Sequence, residues 1–458
     1  MATPNGEDAE RADAGKTMRR ATPRSSHAEV RIGPHRDPIA LLREQAVDRE
    51  PSLVPIRHQR MAVTPFTYFR GAAFPMAWDL AQCPTSGIGV QLCGDAHLSN
   101  FGVFGTPERH LYFDVNDFDE TLPGPFEWDI KRLAASLEIA GRDRDFHPAR
   151  RRDAIAGAVR SYREAMAGFA TMSTLDVWYS HLDVEQLIPP FLKALDRSRT
   201  PAVWKAIESA RAHDSMQAFE RLTRVVDGEP RIIEDPPLIV PIGQASGMEP
   251  DQIQQTVTNL ASAYRQTLQW DKRHLLEQYR VVDVAHKVVG VGSVGSRCWI
   301  VLLLDRHSGS PLFLQVKEAR ASVLERFLTK SAFRNHGHRV VAGQRLMQAA
   351  SDVFLGWNRS DLNGQTRDHY VRQLRDWKGS AEVGKMSAPG LKLYAEMCGW
   401  TLARAHARSG DRVTIAGYLG GGEAFDRAIV EFAVAYADQN ELDHAELLRA
   451  MKDGRLAS

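Results

Sequence analysis

The sequence contains few cysteines, no excess of one charge and no long apolar run. Its 458 residues include four cysteines without a Cys-x-x-Cys pair, so neither a disulfide framework nor a zinc site is indicated. The 58 basic residues balance the 57 acidic residues, which gives no reason to expect nucleic acid or an anionic membrane as the main partner. No stretch is long and apolar enough to span a bilayer. The cytoplasm is therefore the expected location.

The chain is longer than a single hydrophobic core requires, and its length indicates two lobes. Residues 1–35 are rich in charge, Ala, Ser and Pro, so we expect a disordered N-terminal segment. A helical large lobe is expected over residues 36–280 and a small β-rich lobe over residues 281–378. Helices that return to the large lobe are expected over residues 379–458.

Two acidic loops at strand ends carry the most informative chemistry. Residues 90–93 are typical of a short strand that delivers Asp95 into a loop, and Asn100 follows five positions later. Residues 110–115 predict another strand, which delivers Asp117 to its end. Each residue alone is common turn chemistry, but this spacing fits phosphoryl transfer from a metal-bound nucleotide. Asp95 would accept the proton of the acceptor, and Asn100 with Asp117 would hold Mg²⁺.

These residues resemble a known family. Residues 93–100 (Cys-Gly-Asp-Ala-His-Leu-Ser-Asn) are similar to the catalytic loop of aminoglycoside phosphotransferases and choline kinases, whose pattern is His-Gly-Asp-x-His-x-x-Asn. Residues 116–119 (Asn-Asp-Phe-Asp) resemble the metal-binding Asp-Phe motif of that family. The resemblance implies that His97 positions Asp95 or the transferred group, and that Asp129 on the following helix steadies the catalytic loop.

Three further points bear on the resemblance. Cys93 stands where the family has its first His. Asp119 and Glu120 either extend the metal shell or cap the following helix. The whole chain also resembles a large bacterial family, defined only as a domain of unknown function, through the signature Gly-Asp-Ala-His-Leu-x-Asn-Phe-Gly, and that resemblance implies no activity.

The nucleotide-binding elements lie far downstream of the catalytic loop. Strand-like residues 281–289 lead into a glycine-rich segment, residues 290–295, and a second strand is predicted over residues 297–304. A third strand over residues 312–317 ends in Lys317, which would pair with the α- and β-phosphate oxygens. This is the kinase order, whereas a dinucleotide-binding glycine loop would open a helix. The residues expected to cradle the phosphates are Gly290, Gly292, Ser293 and Gly295.

In kinases a Glu on the next helix holds this lysine. Residues 322–327 are helix-like and offer Glu325 for that role. Glu318 is the alternative, but as the strand neighbour of Lys317 it would point to the other face.

Because the glycine loop and Lys317 follow the catalytic loop, the lobe order would be circularly permuted relative to the phosphotransferases. Residues 394–406 resemble the helix ending in Leu-Ala-x-x-His that directly precedes the catalytic loop in that family. The expected fold class is α+β, a protein-kinase-like two-lobe fold with permuted lobes and a large helical C-lobe. The expected cofactors are ATP and Mg²⁺, with an acceptor of unknown identity, most simply a small molecule with a hydroxyl or amine.

Other residues are candidates for the acceptor site. Trp178, Tyr179 and Trp204 lie in the helical block after the metal motif, although packing is the commoner role of such aromatic residues. The apolar stripes over residues 155–169 and 253–264 are interpreted as core.

Three arginines precede the catalytic loop. Their guanidinium groups match phosphate geometry and could bind the acceptor or a transferred phosphate, while surface ion pairing is the more ordinary interpretation. These residues are Arg57, Arg60 and Arg70.

Three other functions remain open. A nucleotidyl transferase would attach AMP with the same metal ligands and a reversed nucleotide. A regulatory pseudokinase would keep the nucleotide pocket without the chemistry, although the retention of Asp95, Asn100, Asp117 and Lys317 together argues against it. A metallophosphoesterase shares the Gly-Asp-x-His opening but needs a later Gly-Asn-His-Asp/Glu motif, which the sequence lacks.

Overall fold

A computed structural model describes most of the chain as a mixed α/β structure. The described residues are 6–186, 215–247, 249–288, 290, 294–362, 365–374, 379–380 and 382–456. Gly292, Ser293 and Trp204, which the sequence singled out, lie outside the described residues.

The helices are numbered in chain order over the described residues. The α-helices are α1 (Gly6–Ala21), α2 (Pro38–Ala46), α3 (Val54–Ala62), α4 (Pro65–Gly71), α5 (Ala73–Leu80), α6 (Glu127–Asp143), α7 (Pro148–Ala170), α8 (Thr174–Tyr179), α9 (Ser215–Leu222), α10 (Ile242–Ser246), α11 (Pro250–Arg265), α12 (Trp270–Glu277), α13 (His336–Met347), α14 (Ala388–Ser409), α15 (Arg412–Leu419) and α16 (Ala424–Lys452). Short 3₁₀ helices cover Arg24–Ala28, Pro51–Leu53, Leu98–Asn100, Val323–Arg326 and Val383–Lys385.

The strands follow the same convention. They are β1 (Gly89–Leu92), β2 (Phe101–Gly105), β3 (Leu111–Val115), β4 (Leu122–Pro125), β5 (Leu182–Asp183), β6 (Thr223–Val226), β7 (Glu229–Ile232), β8 (Ile239–Pro241), β9 (Tyr279–Lys287), β10 (Cys298–Asp305), β11 (Pro311–Ala319), β12 (Gly356–Leu362), β13 (Gln365–Gln373) and β14 (Gly379–Ser380).

The helical core forms where α7 packs along α14 and against α6 and α16. The helices approach closely because Gly399 of α14 lies against the backbone of Ala158, where any Cβ would collide. The apolar stripe of α7 faces this contact, which confirms that it belongs to the core. Its buried members are Ile155, Val159, Tyr162, Met166 and Phe169.

A six-stranded antiparallel sheet in the order β12-β13-β11-β10-β9-β8 forms the second main element. The three strands predicted around the glycine loop and Lys317 are its β9, β10 and β11. The sheet begins earlier than expected, since its edge strand β8 precedes residue 281. Lys317 lies opposite Cys298 on one neighbouring strand and opposite Tyr370 on the other, so the end of β11 is enclosed by partners on both sides.

Smaller sheets carry the catalytic loop. Strand β1 pairs with β4, and β2 pairs with β3 in a four-stranded sheet of order β14-β2-β3-β5. Gly102 allows the close approach of β14, because a Cβ there would collide with the carbonyl of Gly379. The loop between β1 and β2 therefore has a paired strand on each side.

The N-terminal segment is a correction to the sequence-based expectation of disorder. Helix α1 packs against α15, where Gly15 and Gly417 leave no room for a Cβ at the interface. Arg19 and Arg24 donate to carbonyl groups at the end of α15 and just beyond it. The expectation was wrong because this contact relies on close backbone approach rather than on large apolar side chains.

No helix within the described ranges has the length and apolar character needed to cross a membrane.

Candidate active site

The loop that contains Asp95 is held at its start by a carboxylate from α6. Gly94 has a φ of +85°, and a Cβ there would collide with the carbonyl of Glu120, so the tight turn requires glycine. In the first turn of α6, Asp129 accepts hydrogen bonds from the backbone N–H groups of Cys93, at 2.8 Å, and Gly94, at 3.0 Å. Asp129 thus fixes the loop that the resemblance implied it would steady.

Helix α14, from the C-terminal part of the chain, contacts the same anchor. Nε2 of His406 lies 3.3 Å from Oδ2 of Asp129, and its Nδ1 lies 2.9 Å from the Tyr162 hydroxyl. All three side chains are buried. The helix predicted over residues 394–406 therefore contacts the loop anchor, although the sequence separates them by 277 positions.

Asp95 is oriented by two contacts. Its Oδ1 accepts a hydrogen bond of 2.8 Å from Nε of Arg132, whose guanidinium lies 3.8 Å above the Phe69 ring. Its backbone carbonyl accepts a hydrogen bond of 2.8 Å from the amide nitrogen of Asn100. Burial raises the pKa of Asp95, and the positive charge of Arg132 opposes that rise. The carboxylate is fixed in position and made more basic than an exposed Asp.

His97 lies beneath Asp95, with Nε2 3.8 Å from Oδ2 of that carboxylate. Burial, followed by the charges of Arg132 and Arg70, holds the pKa of His97 well below its usual range. The imidazole is therefore neutral, and its buried Nδ1 has no hydrogen-bond partner among the described residues.

Asp117 and Asn100 present oxygens to the same space. Burial and the neighbouring charge of Asp119 raise the pKa of Asp117. Asp117 forms no salt bridge in the described part of the chain. The one hydrogen bond found there for its carboxylate comes from the backbone N–H of Asp119, which donates to Oδ1 at 3.2 Å. Because the Asn100 amide nitrogen bonds to Asp95, its side-chain oxygen faces away from that bond. A hard cation would find one carboxylate and one amide oxygen here.

Mg²⁺ fits this donor set. Over the described residues, no group of three or more His, Cys, Asp or Glu side chains is arranged to hold a metal ion. Magnesium bound with a nucleotide does not need such a group, because it commonly takes one or two protein oxygens and completes its shell with phosphates and water. Asn100 and Asp117 would supply those two oxygens.

Lys317 reaches the metal motif from the end of β11. Its Nζ donates to Oδ2 of Asp119 at 2.7 Å, and the Tyr370 hydroxyl donates to Oδ1 at 2.6 Å. Burial alone would lower the pKa of Lys317, but Asp117 and Asp119 raise it well above its ordinary value. Burial alone would raise the pKa of Asp119, but the charge and hydrogen bond of Lys317 have the larger effect and lower it. The pair is therefore ionised.

The lysine partner differs from the expected one. Glu325 lies in the 3₁₀ helix Val323–Arg326, and its Oε1 is buried without a hydrogen-bond partner in the described ranges. Glu318 points away from Lys317 and forms salt bridges with three arginines, Arg297, Arg320 and Arg367. Among the described residues no salt bridge joins Glu325 to Lys317, and the carboxylate that pairs with this lysine is Asp119.

One cavity of about 520 Å³ brings most of these groups together, and Lys317 reaches its wall through Asp119. Its wall includes the catalytic loop, the metal motif, one end of the glycine-rich segment and the chain that follows Lys317. The predicted residues in the wall are Arg70, Asp95, His97, Asn100, Asp117, Asp119, Gly290 and Glu325.

The ends of the glycine-rich segment are tied to the N-terminal helices. Arg60 donates to the carbonyl of Gly290, and the backbone N–H of Glu50 donates to the carbonyl of Gly295 at 2.8 Å. Gly290 and Gly295 have φ values of +69° and +85°, which favour glycine. Of the two described glycines of the predicted phosphate loop, Gly290 lines the cavity, whereas Gly295 precedes the lining residue Ser296.

The aromatic acceptor candidates lie elsewhere. Trp178 and Tyr179 are 42% and 68% exposed and do not line the cavity. The Arg408 guanidinium lies 3.9 Å above the Trp178 ring. Of the arginines proposed for the acceptor, Arg57 is buried and bonds to the carbonyl of Gly71, whereas Arg70 lines the cavity.

Sequence reasoning missed Arg132 and Tyr370. Arg132 follows Asp129 by three positions, so helical spacing placed both on one face of α6 and could have revealed it. Tyr370 meets Asp119 only because β13 pairs with β11 in one register, which no local pattern encodes.

A family model described as "Uncharacterized protein conserved in bacteria (DUF2252)" matches residues 49–450. Comparison with the curated proteins and with the solved structures finds no match. The matched range contains the catalytic loop, the metal motif, the glycine-rich segment and α14. The chain therefore belongs to this bacterial family of uncharacterised proteins.

Proposed function

We propose that this protein is an ATP- and Mg²⁺-dependent phosphotransferase with a protein-kinase-like fold whose lobes are circularly permuted. The observation that carries the proposal is the ion pair between Lys317 and Asp119, which are 198 positions apart in the chain. It joins β11, the second strand after the glycine loop, to the metal motif. Asp119 lines one cavity with Asp95 and Asn100.

The contact between α14 and the loop anchor supports the permuted order. In the phosphotransferases that the sequence resembles, a helix ending in Leu-Ala-x-x-His runs directly into the catalytic loop. Here His406 reaches Asp129 from the C-terminal part of the chain. Permutation requires only that the original ends lie close together.

The proposed reaction transfers the γ-phosphoryl group of ATP to an acceptor hydroxyl or amine. Asp95, oriented by Arg132, takes the acceptor proton as the acceptor atom bonds to the γ-phosphorus. The bond from that phosphorus to the β–γ bridging oxygen breaks, and ADP leaves with the electron pair. Lys317 neutralises phosphate charge, and its own position is fixed by Asp119. When bound, Mg²⁺ would add further charge neutralisation at the oxygens of Asn100 and Asp117.

The test is Mg²⁺-dependent ATP turnover by the purified protein, with the products resolved by mass. We expect ADP from the wild type, and a loss of about 10²- to 10⁴-fold in kcat for Asp95→Asn, because the base is removed. Lys317→Met should abolish turnover, whereas Lys392→Met, a surface lysine paired with Asp153, should leave it unchanged.

Other products would change the assignment. AMP transfer or pyrophosphate release would indicate nucleotidyl transfer with the nucleotide reversed. Nucleotide binding without turnover, unaffected by Asp95→Asn, would indicate a regulatory pseudokinase. Absence of nucleotide binding by the wild type would overturn the proposal.

A further inference from the structure

Three arginines in the cavity wall, Arg49, Arg70 and Arg320, keep a buried Nε without a hydrogen-bond partner among the described residues, and of these Arg320 is paired with Glu318. Arg70 ends α4, Arg49 lies between α2 and the next 3₁₀ helix, and both line the cavity with Asp95. The Nε of each is shielded from solvent and has no hydrogen-bond partner among the described residues. Arg49 does donate through Nη1 to the carbonyl of Val294, whereas Arg70 makes no hydrogen bond or salt bridge within the described ranges.

Arg132 provides the contrast on the other side of Asp95. Its Nε donates to Asp95, and its Nη2 donates to the carbonyl of Phe69 at 2.7 Å. Arg132 therefore uses its donors within the protein and positions Asp95, the proposed base. Arg70 acts electrostatically on both Asp95 and His97, so it lies near the base without being bound to it.

No carboxylate of the cavity wall forms a salt bridge with Arg49 or Arg70 in the described part of the chain, although Asp95 acts electrostatically on Arg70, and Glu120 and Glu318 act on Arg49. Glu44 pairs with Arg326 at 3.6 Å, and Glu120 accepts from the backbone N–H of Val323 at 2.8 Å. Asp95, Asp119 and Glu318 pair with Arg132, Lys317 and Arg320. The other wall carboxylates, Asp48, Asp117 and Glu325, form no salt bridge with Arg49 or Arg70 in the described part of the chain.

Buried guanidinium donors without partners are costly, because their hydration is lost and nothing replaces it. A ligand that accepts hydrogen bonds and carries negative charge would remove that cost. The planar guanidinium group can donate two parallel hydrogen bonds to a pair of oxygens of a carboxylate or a phosphate.

We infer that the phosphoryl acceptor carries an anionic group, a carboxylate or a phosphate ester, which binds Arg70 with Arg49 as a second donor. The inference rests on the proposed function, since it names the acceptor class for that site. Arg70 lies on the side of the base Asp95, whereas the nucleotide phosphates are assigned to Lys317 and the glycine-rich segment.

The test measures anion binding by the full chain saturated with Mg²⁺ and a non-hydrolysable ATP analogue. Isothermal titration uses inorganic phosphate and malonate as probes for the two anion classes. We expect one site per chain, and the tighter probe identifies the class. Arg70→Gln should weaken that probe at least tenfold, with the affinity for the nucleotide analogue unchanged within twofold.

Two further variants make the result specific. Arg70→Lys keeps the charge and should retain part of the binding. Arg326→Gln removes a cavity arginine that is already paired with Glu44 and should have no effect. Thermal denaturation checks folding, and Arg49→Gln serves as the second test if Arg70→Gln does not fold.

The outcomes that overturn the inference are distinct from failure of the proposed function. If Arg70→Gln weakens nucleotide and anion equally, the arginine serves the nucleotide and the acceptor assignment is wrong. If the nucleotide-bound wild type binds neither probe, the anionic acceptor is wrong while the phosphotransferase stands. If the wild type binds an anion but no nucleotide, the phosphotransferase proposal fails and the acceptor assignment fails with it.

Discussion

The charged groups of the catalytic loop have protein partners, whereas two arginines of the cavity wall keep buried donors without one. In the catalytic loop, Asp129 accepts two backbone N–H groups, and Asp95 accepts from Arg132. In the cavity wall, Arg49 and Arg70 each keep a buried Nε without a hydrogen-bond partner among the described residues.

The difference separates groups that the protein holds in place from groups that are available to bind a ligand. A group that must occupy the same position in every reaction cycle is best fixed by the protein itself, because preorganisation avoids reorganisation at the moment of reaction. A group that binds a ligand must leave its donors available. Contacts of the first kind should show mainly in stability and turnover, and those of the second kind mainly in ligand affinity.

The largest effect is expected from removing the loop anchor. Asp129→Ala would strand the N–H groups of Cys93 and Gly94, together with the buried His406, so the free energy of unfolding should fall by about 4 kcal/mol. Turnover should be lost as well. Urea denaturation gives the first quantity and the ATP assay the second.

The control for this variant is Asp153→Ala. Its carboxylate pairs with Lys392 at an exposed surface, so the cost should stay under about 0.5 kcal/mol. Equal losses for the two variants would show that Asp129 is no more than a surface-type ion partner.

The next effect concerns the partner of Lys317. Asp119→Asn keeps a similar shape but removes the counter-charge of a buried ammonium, so the affinity for Mg²⁺-ATP should weaken about tenfold or more. Glu325→Gln is the matched control, because Glu325 is the partner that the sequence predicted. It should change the affinity less than twofold, as measured by titration with a non-hydrolysable ATP analogue. A larger loss for Glu325→Gln would restore the usual kinase pairing.

Sequence patterns predicted the strands that flank the two acidic loops well. Strand β1 ends before Asp95 and strand β3 ends before Asp117, close to the predicted positions, because alternating apolar residues and turn residues are read locally. Asp95, Asn100 and Asp117 line one cavity, and Lys317 reaches its wall through Asp119, whereas their role in a reaction stays a prediction.

Contacts set by register or by backbone proximity were not predictable in the same way. Whether Asp119 or Glu325 pairs with Lys317 depends on where β11 lies relative to the metal motif. The local sequence around Lys317 does not encode which distant carboxylate it contacts. The packing of α1 relies on close backbone approach at Gly15 and Gly417, which a rule based on charge and large apolar side chains does not detect.

A moderate effect is expected far from the cavity, and it separates stability from activity. Gly15→Val introduces side-chain atoms where even a Cβ collides with the backbone of α15, so α1 should detach or strain at a cost of about 1–3 kcal/mol. Amide hydrogen exchange should show lost protection over Gly6–Ala21, with ATP turnover unchanged, because neither α1 nor α15 lines the cavity. Gly6→Ala, which has open space around it, is the control.

The smallest effect is a pH dependence in the segment that follows α1. His27 is buried with Nε2 2.7 Å from the Tyr418 hydroxyl, and burial together with Lys131 lowers its pKa to about 3. The unfolded chain would bind a proton at His27 near pH 6.5, so this contribution to stability is complete above pH 6.5 and is lost as the pH falls toward 3. Between pH 7 and pH 5 the loss should approach about 2 kcal/mol, since each pH unit below 6.5 contributes about 1.4 kcal/mol.

Urea denaturation at both pH values should give a smaller decrease for His27→Gln than for the wild type, while the exposed His35→Gln should behave as the wild type does. An equal decrease in all three proteins would place the acid sensitivity elsewhere, and it would mean that the segment tying α1 to the helical core does not depend on a neutral His27.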